Sequence, residues 1–204
     1  MRRLCFAVPL ATLLAGIITA CSSAPEVSVW QDGIEPAARS GSIGGAGTAC
    51  TLPVTFDIAP SWTPRPVVGT AGSLPRQGDA TLACEVDAKP AGVFGFLRVW
   101  SGTGTAKNSR SALDAYLAEE KKISGPEYRE TKAGPFSATE VTYLKSSADG
   151  PAKRERALSV LLPEGYVIIH VGGLDTQEHE KLLPGYELAR DTMAASSTSF
   201  PRAQ

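Results

Sequence analysis

The stretch KRERALSVLL-PEG-YVIIHV, residues 153–171, decides the fold. Lys153 to Leu162 ends in an apolar run, and Tyr166 to Val171 carries Val-Ile-Ile. Short runs of Val, Ile and Leu bounded by turn residues mark buried strands. Pro163, Glu164 and Gly165 leave room only for a tight turn, and strands joined that closely pair antiparallel. Just upstream, Ala138 to Leu144 leads into Lys153 through a loop holding Asp149-Gly150, a hairpin signal. Tyr128 to Ala133, closed by Gly134-Pro135, is a shorter and more polar strand before it.

The N-terminal half reads the same way. Leu52, Val54, Phe56 and Ile58 alternate along a half-buried strand, and Cys50 shares their parity. Leu82, Cys84 and Val86 form a second alternating strand. Gly92 to Trp100 is apolar on both faces and reads as a central strand. Between them, Pro60 to Asp79 is a Pro- and Gly-rich loop whose largest apolar residue, Trp62, reads as core folded over the sheet edge.

Two helices complete the pattern. Leu113, Tyr116, Leu117 and Glu120, with Ile123 beyond, follow helical spacing. Asn108 or Ser109 caps this helix, Ser111 with Asp114 fits a capping box, and Ser124-Gly125-Pro126 stops it. Asp175, with Glu178 three residues on, starts the second helix. Pro184 kinks or restarts it, while Leu182, Tyr186, Ala189 and Met193 carry the apolar stripe. Phe200 is expected to fold back onto the core. The order is three strands, a helix, four strands, a helix. That predicts a single α+β domain over residues 50–204, a mostly antiparallel sheet of about seven strands with helices packed on its faces.

The first twenty residues belong to export rather than to the fold. Arg2 and Arg3 precede an apolar run from Phe6 to Ile18, too short for the ~20 residues a mature bilayer span needs. The arginine pair lacks the residues that usually flank a twin-arginine signal. Ile18-Thr19-Ala20-Cys21 then resembles the lipobox of bacterial lipoproteins. The resemblance implies diacylglyceryl transfer to the Cys21 sulfur and cleavage before it. Two acyl chains suffice for stable anchoring where one is marginal. Residues 21–49, rich in Ser, Ala and Gly and ending in GSIGGAG, read as a flexible tether carrying Trp30.

Export also sets the fate of the cysteines. Cys5 leaves with the signal and Cys21 takes the lipid. Cys50 and Cys84, both on core-facing parity, are expected to form one disulfide in an oxidising compartment. There is no C-x-x-C pair, so the spacing supports neither a zinc site nor a thioredoxin-like centre. Losing residues 1–20 removes two arginines and no acid, taking the net charge from −1 to −3. Such a domain has no electrostatic footprint for nucleic acid or an anionic membrane face. The densest basic spots, Lys121-Lys122 and Lys153-Arg154-x-Arg156, interleave with Glu and read as solvated faces.

The element order, with Pro60-Ser61-Trp62 after the first strand and a C-terminal helix running into a Ser-rich stretch with Phe200, resembles the PsbP-like fold. It looks most like the small actinobacterial lipoproteins of that fold. The resemblance covers about Thr51 to Phe200. It implies a central antiparallel sheet with helices on its faces and an accessory or binding role, with no catalytic residues to carry over.

Candidate chemistry is sparse. His170, near a strand end, reads as a histidine hydrogen-bonded to backbone or water. His179-Glu180-Lys181-Leu182-Leu183 begins like H-E-x-x-H but has Leu183 where the second ligand belongs. A looser metal site would combine both histidines with Glu178 or Glu164. Ser101-Gly-Thr-Gly-Thr105 lacks the strand–elbow–helix context of a hydrolase nucleophile. Residues 41–47 lack the Lys-Ser/Thr of a phosphate loop. No catalytic, cofactor-binding or metal-binding residue is assigned. The reading is a lipid-anchored binding or accessory module at the extracytoplasmic face of the cell membrane, whose partner is an envelope protein or a small apolar ligand. The alternative is an envelope hydrolase with an unrecognised site.

Overall fold

The computed structural model describes residues 29–70, 73–104, 106–146 and 150–197. The signal sequence, Cys21, Asp149 and Phe200 lie outside the described residues. The strands are β1 (Gly41–Ile43), β2 (Val54–Ile58), β3 (Thr63–Pro66), β4 (Arg76–Gln77), β5 (Ala80–Asp87) and β6 (Gly95–Gly102), followed by helix α1 (Ser109–Ala118). After it come β7 (Ile123–Ala133), β8 (Phe136–Lys145), β9 (Lys153–Leu162), β10 (Gly165–Gly173), helix α2 (Thr176–Asp191) and β11 (Ala194–Ala195).

The main sheet runs β3-β5-β6-β10-β9-β8-β7, with β4 beside β5, and each pairing is antiparallel. The opening hairpin is present, with Gly165 opposite Leu162 and Tyr166 opposite Leu161. Both faces of the sheet are covered, which is why the second half of β9 and most of β10 read as apolar runs rather than alternating. On one face α2 packs Leu182, Leu183 and Tyr186 over Leu97, Val160, Val167 and Ile169. On the other, α1 packs Leu113, Tyr116 and Leu117 over Trp100, Tyr143, Ala157 and Ile168. The expected α+β architecture is therefore the observed one.

The first expected strand is placed differently. β2 does not join the main sheet; it lies between β1 and β11 in a separate three-stranded sheet that packs with α2. The Cys50–Cys84 disulfide, with Cα atoms 6.0 Å apart, thus fastens the small sheet to β5 of the large one rather than joining two neighbours. Trp62 is core, 8% exposed. The loop around it contributes the edge strand β3, where Pro64 and Pro66 are tolerated because an edge strand needs only one side of its ladder.

Helix ends show which signals held. Asp175 caps α2, its carboxylate accepting from the Glu178 amide. Asn108 caps α1, but its capping box is closed by Ser111, not by Ser111 with Asp114. α1 also stops at Ala118, so Ile123 opens β7 and Ser124 to Pro126 form an irregularity within that strand. α2 continues through Pro184. A proline lacks the donor that would close the preceding turn. Its own carbonyl accepts from the amide of Ala37, 2.8 Å away.

That contact belongs to the largest departure from expectation. Over its described part, residues 29–49, the segment expected as a tether is built into the fold. β1 pairs with β2, Ser40 donates to the Ile58 carbonyl, Ile43 is 1% exposed, and Ile34 and Ala37 pack on the core. The glycines serve close approach rather than looseness. Gly44 sits at φ 98°, and a Cβ there would lie 1.9 Å from the Val54 carbonyl oxygen. The apolar residues are too scattered to show a period, so composition alone misreads the segment.

Candidate functional site

Three polar constellations could carry function. The first lies on the α1 face, beyond the end of that helix. Glu155 on β9, 3% exposed, accepts from the Tyr143 hydroxyl at 3.2 Å and lies 3.0 Å from His170 Nε2 and 3.0 Å from Lys153 Nζ. Burial alone would raise the Glu155 carboxyl. The His170 hydrogen bond and the charges of His170, Lys145 and Lys153 outweigh it and hold the group below the usual carboxylate range. His170 is thus bonded to a carboxylate, not to backbone or water. A histidine base needs its nucleophile within hydrogen-bond reach, yet the second ring nitrogen, Nδ1, has no partner among the described residues.

The second lies under α2. Glu140, fully buried, accepts from the Tyr186 hydroxyl at 2.6 Å and from Arg129 Nε at 2.7 Å. Arg156, also fully buried, has its Nη1 3.7 Å from Glu140 and 3.5 Å from Glu187, which in turn pairs with Arg190 at 2.6 Å. The Trp30 ring caps the set, 4.1 Å from the Arg129 guanidinium and 5.4 Å from that of Arg156. Burial holds the Glu187 carboxyl above its usual value despite Arg190. The solvated reading of the 153–156 basic spot is corrected for Arg156, while Lys153 and Arg154 are half-buried. On a strand covered on both faces, even an arginine parity position is interior.

His170 and His179 sit on opposite faces of the sheet, so the looser metal site does not assemble. His170 faces α1, its ring 6.0 Å from that of Tyr116. His179 projects from α2 with the apolar stripe of Leu182, Leu183 and Tyr186, fully buried. Among the described residues no group of three or more His, Cys, Asp or Glu is placed to hold a metal ion. Burial, then the charges of Arg156 and His170, lower His179 to about 3.

This burial sets a pH dependence. An unfolded chain takes up a proton at His179 below about pH 6.5, whereas the folded chain refuses it until about 3. Stability is therefore lost progressively as pH falls from about 6.5, by at most about 1.4 kcal/mol per unit. Glu155, lowered in the fold, adds a loss of the same sign below its ordinary range. Glu187, raised, acts in the opposite sense. Urea unfolding at pH 7, 5.5 and 4.5 should show the decline, and His179→Leu should flatten it between pH 6.5 and 4.5. An unchanged slope in that variant would show that His179 is not the source.

The third constellation is an open groove of about 490 Å³ where β5, β6 and β10 meet their loops. Phe96, Arg98 and Lys153 form its walls, Gly172 and Gly173 its floor, and Lys89, Phe94 and Leu174 its rim. Leu174 donates its amide to the Phe94 carbonyl at 2.8 Å, so the rim is one joined structure. Phe94 is 50% and Leu174 71% exposed. A Cβ on Gly172 would lie 3.0 Å from His170 Cε1 and 3.1 Å from Glu155 Oε1, so the floor is bare backbone over that buried pair. The residues lining the groove include no Ser, Thr, Cys or His. Nothing in the sequence pattern flagged it, because its parts come from three separate stretches.

Residues 20–193 match a protein family described as uncharacterised lipoprotein. The chain belongs to this lipoprotein family. Comparison with curated proteins finds no match. Among solved structures the chain is similar to the solution structure of cyanobacterial PsbP (CyanoP) from Synechocystis sp. PCC 6803. Identity is 10%, the TM-score is 0.48, and the match covers 76% of this chain and 98% of that one. It is a likeness of outline alone. No helix among the described residues of this lipoprotein is long and apolar enough to cross a membrane.

Proposed function

We propose that the mature lipoprotein is a non-enzymatic binding or accessory module, held at the extracytoplasmic face of the cell membrane by lipid on Cys21 and working through the Phe94–Leu174 groove. The observation that carries this reading is the groove itself. It pairs an exposed apolar rim with Lys89, Arg98, Lys153 and one acid, Asp87, and presents no Ser, Thr, Cys or His. The charged sets that could do acid–base chemistry are sealed instead, with Glu155, His170, Glu140 and Arg156 all at most 3% exposed. A concave site lined by aromatic and basic residues suits binding.

Changing Cys21→Ser tests the anchor. The expected result is protein released to the soluble fraction or held as uncleaved precursor. Protein of mature size that stays with the membrane would refute lipid anchoring at Cys21. Turnover of a generic ester, peptide or glycoside that disappears in His170→Ala would refute the non-enzymatic part and favour the hydrolase.

A further inference from the structure

We infer that the Phe94–Leu174 rim is a second membrane contact, resting in the headgroup region of the same bilayer that holds Cys21; this deepens the proposal above and rests on its anchor.

Three large hydrophobic residues are well exposed among the described residues: Val68, Phe94 and Leu174. Two of them stand side by side, although 80 positions apart in sequence, joined by the Leu174 to Phe94 hydrogen bond. They are held in place rather than loose. The Phe94 amide also donates to Glu178 of α2 at 2.7 Å, and Leu174 leads directly into the Asp175 cap. An ordered, paired apolar tip is costly to leave in water and suits an interfacial contact.

Its surroundings fit a headgroup layer. Lys89 Nζ lies 5.9 Å from the centre of the Phe94 ring and has no carboxylate partner among the described residues. Arg98 lies over Phe96 at 4.9 Å, deeper in the groove. The Lys89 stem beside the Phe94 ring suits the step from acyl chain to phosphate, while Lys153 and Arg98 are already paired with Glu155 and Glu85.

The route of the chain brings this tip near the bilayer. Gln31 Nε2 donates to Glu180 at 2.9 Å, and Phe94 is held by Glu178, two residues earlier on the same helix. At a rise of about 1.5 Å per residue, those two attachments are about 3 Å apart along the α2 axis, on opposite sides of the helix. Gln31 lies only ten positions after Cys21, and a chain of that length spans at most about 36 Å even fully extended. A tether reaching to Ala49 would have let the domain turn any surface to the membrane. A leash that ends at α2 presents the end of the domain that bears Phe94 and Leu174.

The test uses the acylated full-length product, purified and reconstituted into vesicles of phosphatidylcholine and phosphatidylglycerol brominated at shallow acyl positions. Phe94→Trp is compared with Val68→Trp, which is more open to solvent, 84% against 50%, but lies toward the other end of β5, since Val67 donates to Ala83. Emission added by the Phe94→Trp indole should be quenched at least about twofold more than that added by Val68→Trp. Leu174→Trp gives a second reading at the same rim should Phe94→Trp fold poorly. If the protein floats with vesicles and neither rim variant is quenched beyond Val68→Trp, the rim contact is wrong while the anchor stands, and a protein partner for the groove is favoured. If the protein fails to float, the anchor falls and this inference falls with it.

Discussion

Replacing Glu140 by alanine is expected to destabilise the protein by about 3–5 kcal/mol, the cost of leaving a buried ion unmatched. Glu140 is the acceptor on which the α2-face network converges. Without it the Tyr186 hydroxyl loses its 2.6 Å partner and Arg129 Nε its 2.7 Å partner. Arg156, fully buried, would keep only Glu187 at 3.5 Å. The reverse change should be far milder. In Arg156→Met, Glu140 still has Arg129 and Tyr186, and Glu187 still has Arg190. The variant also removes two guanidinium nitrogens, Nε and Nη2, that have no partner among the described residues. Its expected effect is within about 1.5 kcal/mol of zero. Urea unfolding followed by circular dichroism measures both. Equal losses in the two variants would mean that the set acts through packing rather than charge.

Loss of the disulfide is the second large effect. Cys50→Ala with Cys84→Ala frees a loop of 34 residues, for which chain entropy predicts about 3–4 kcal/mol of lost stability. Both cysteines are fully buried, so the double variant is a cleaner comparison than added reductant, which needs local opening to reach the sulfurs. Because the bond joins two sheets, the variant should also lose cooperativity. β1, β2 and β11 would exchange amide protons faster than β9 and β10. Uniform exchange rates throughout would show that the small sheet is held by packing alone.

How much was legible in the sequence depended on burial and length. β5 showed itself through alternation, and β6, β9 and β10 through continuous apolar runs, because tertiary burial and local pattern agree there. β3, β4 and β11 are two to four residues long, and their pairing is imposed by neighbours rather than by their own residues. β7 is a mostly exposed edge, so only its second half read as a strand. Composition failed at residues 29–49, where small residues permit close packing as readily as they permit disorder. Charge failed at Arg156 for a related reason, since a basic side chain looks solvated until the layers above and below it are known. The cysteine pairing was legible because parity placed both side chains inward. The groove was not, because it forms only when residues 87–98, Lys153 and residues 172–174 come together.

The small sheet also decides how a load would travel. β2 is flanked by the strand nearest the start of the fold and by the one nearest its end. Tension arriving from a lipid on Cys21 would first meet the Trp30 and Gln31 contacts, then the β1–β2 ladder. Beyond that stands a covalent bond, Cys50–Cys84, which passes the remainder to β5. Under the proposed anchor at Cys21, such tugging would fall on the Trp30 and Gln31 contacts, the outermost strands and a sulfur bridge. The large sheet takes its share at two places, at β7 and β9 under Trp30 and at Cys84 of β5.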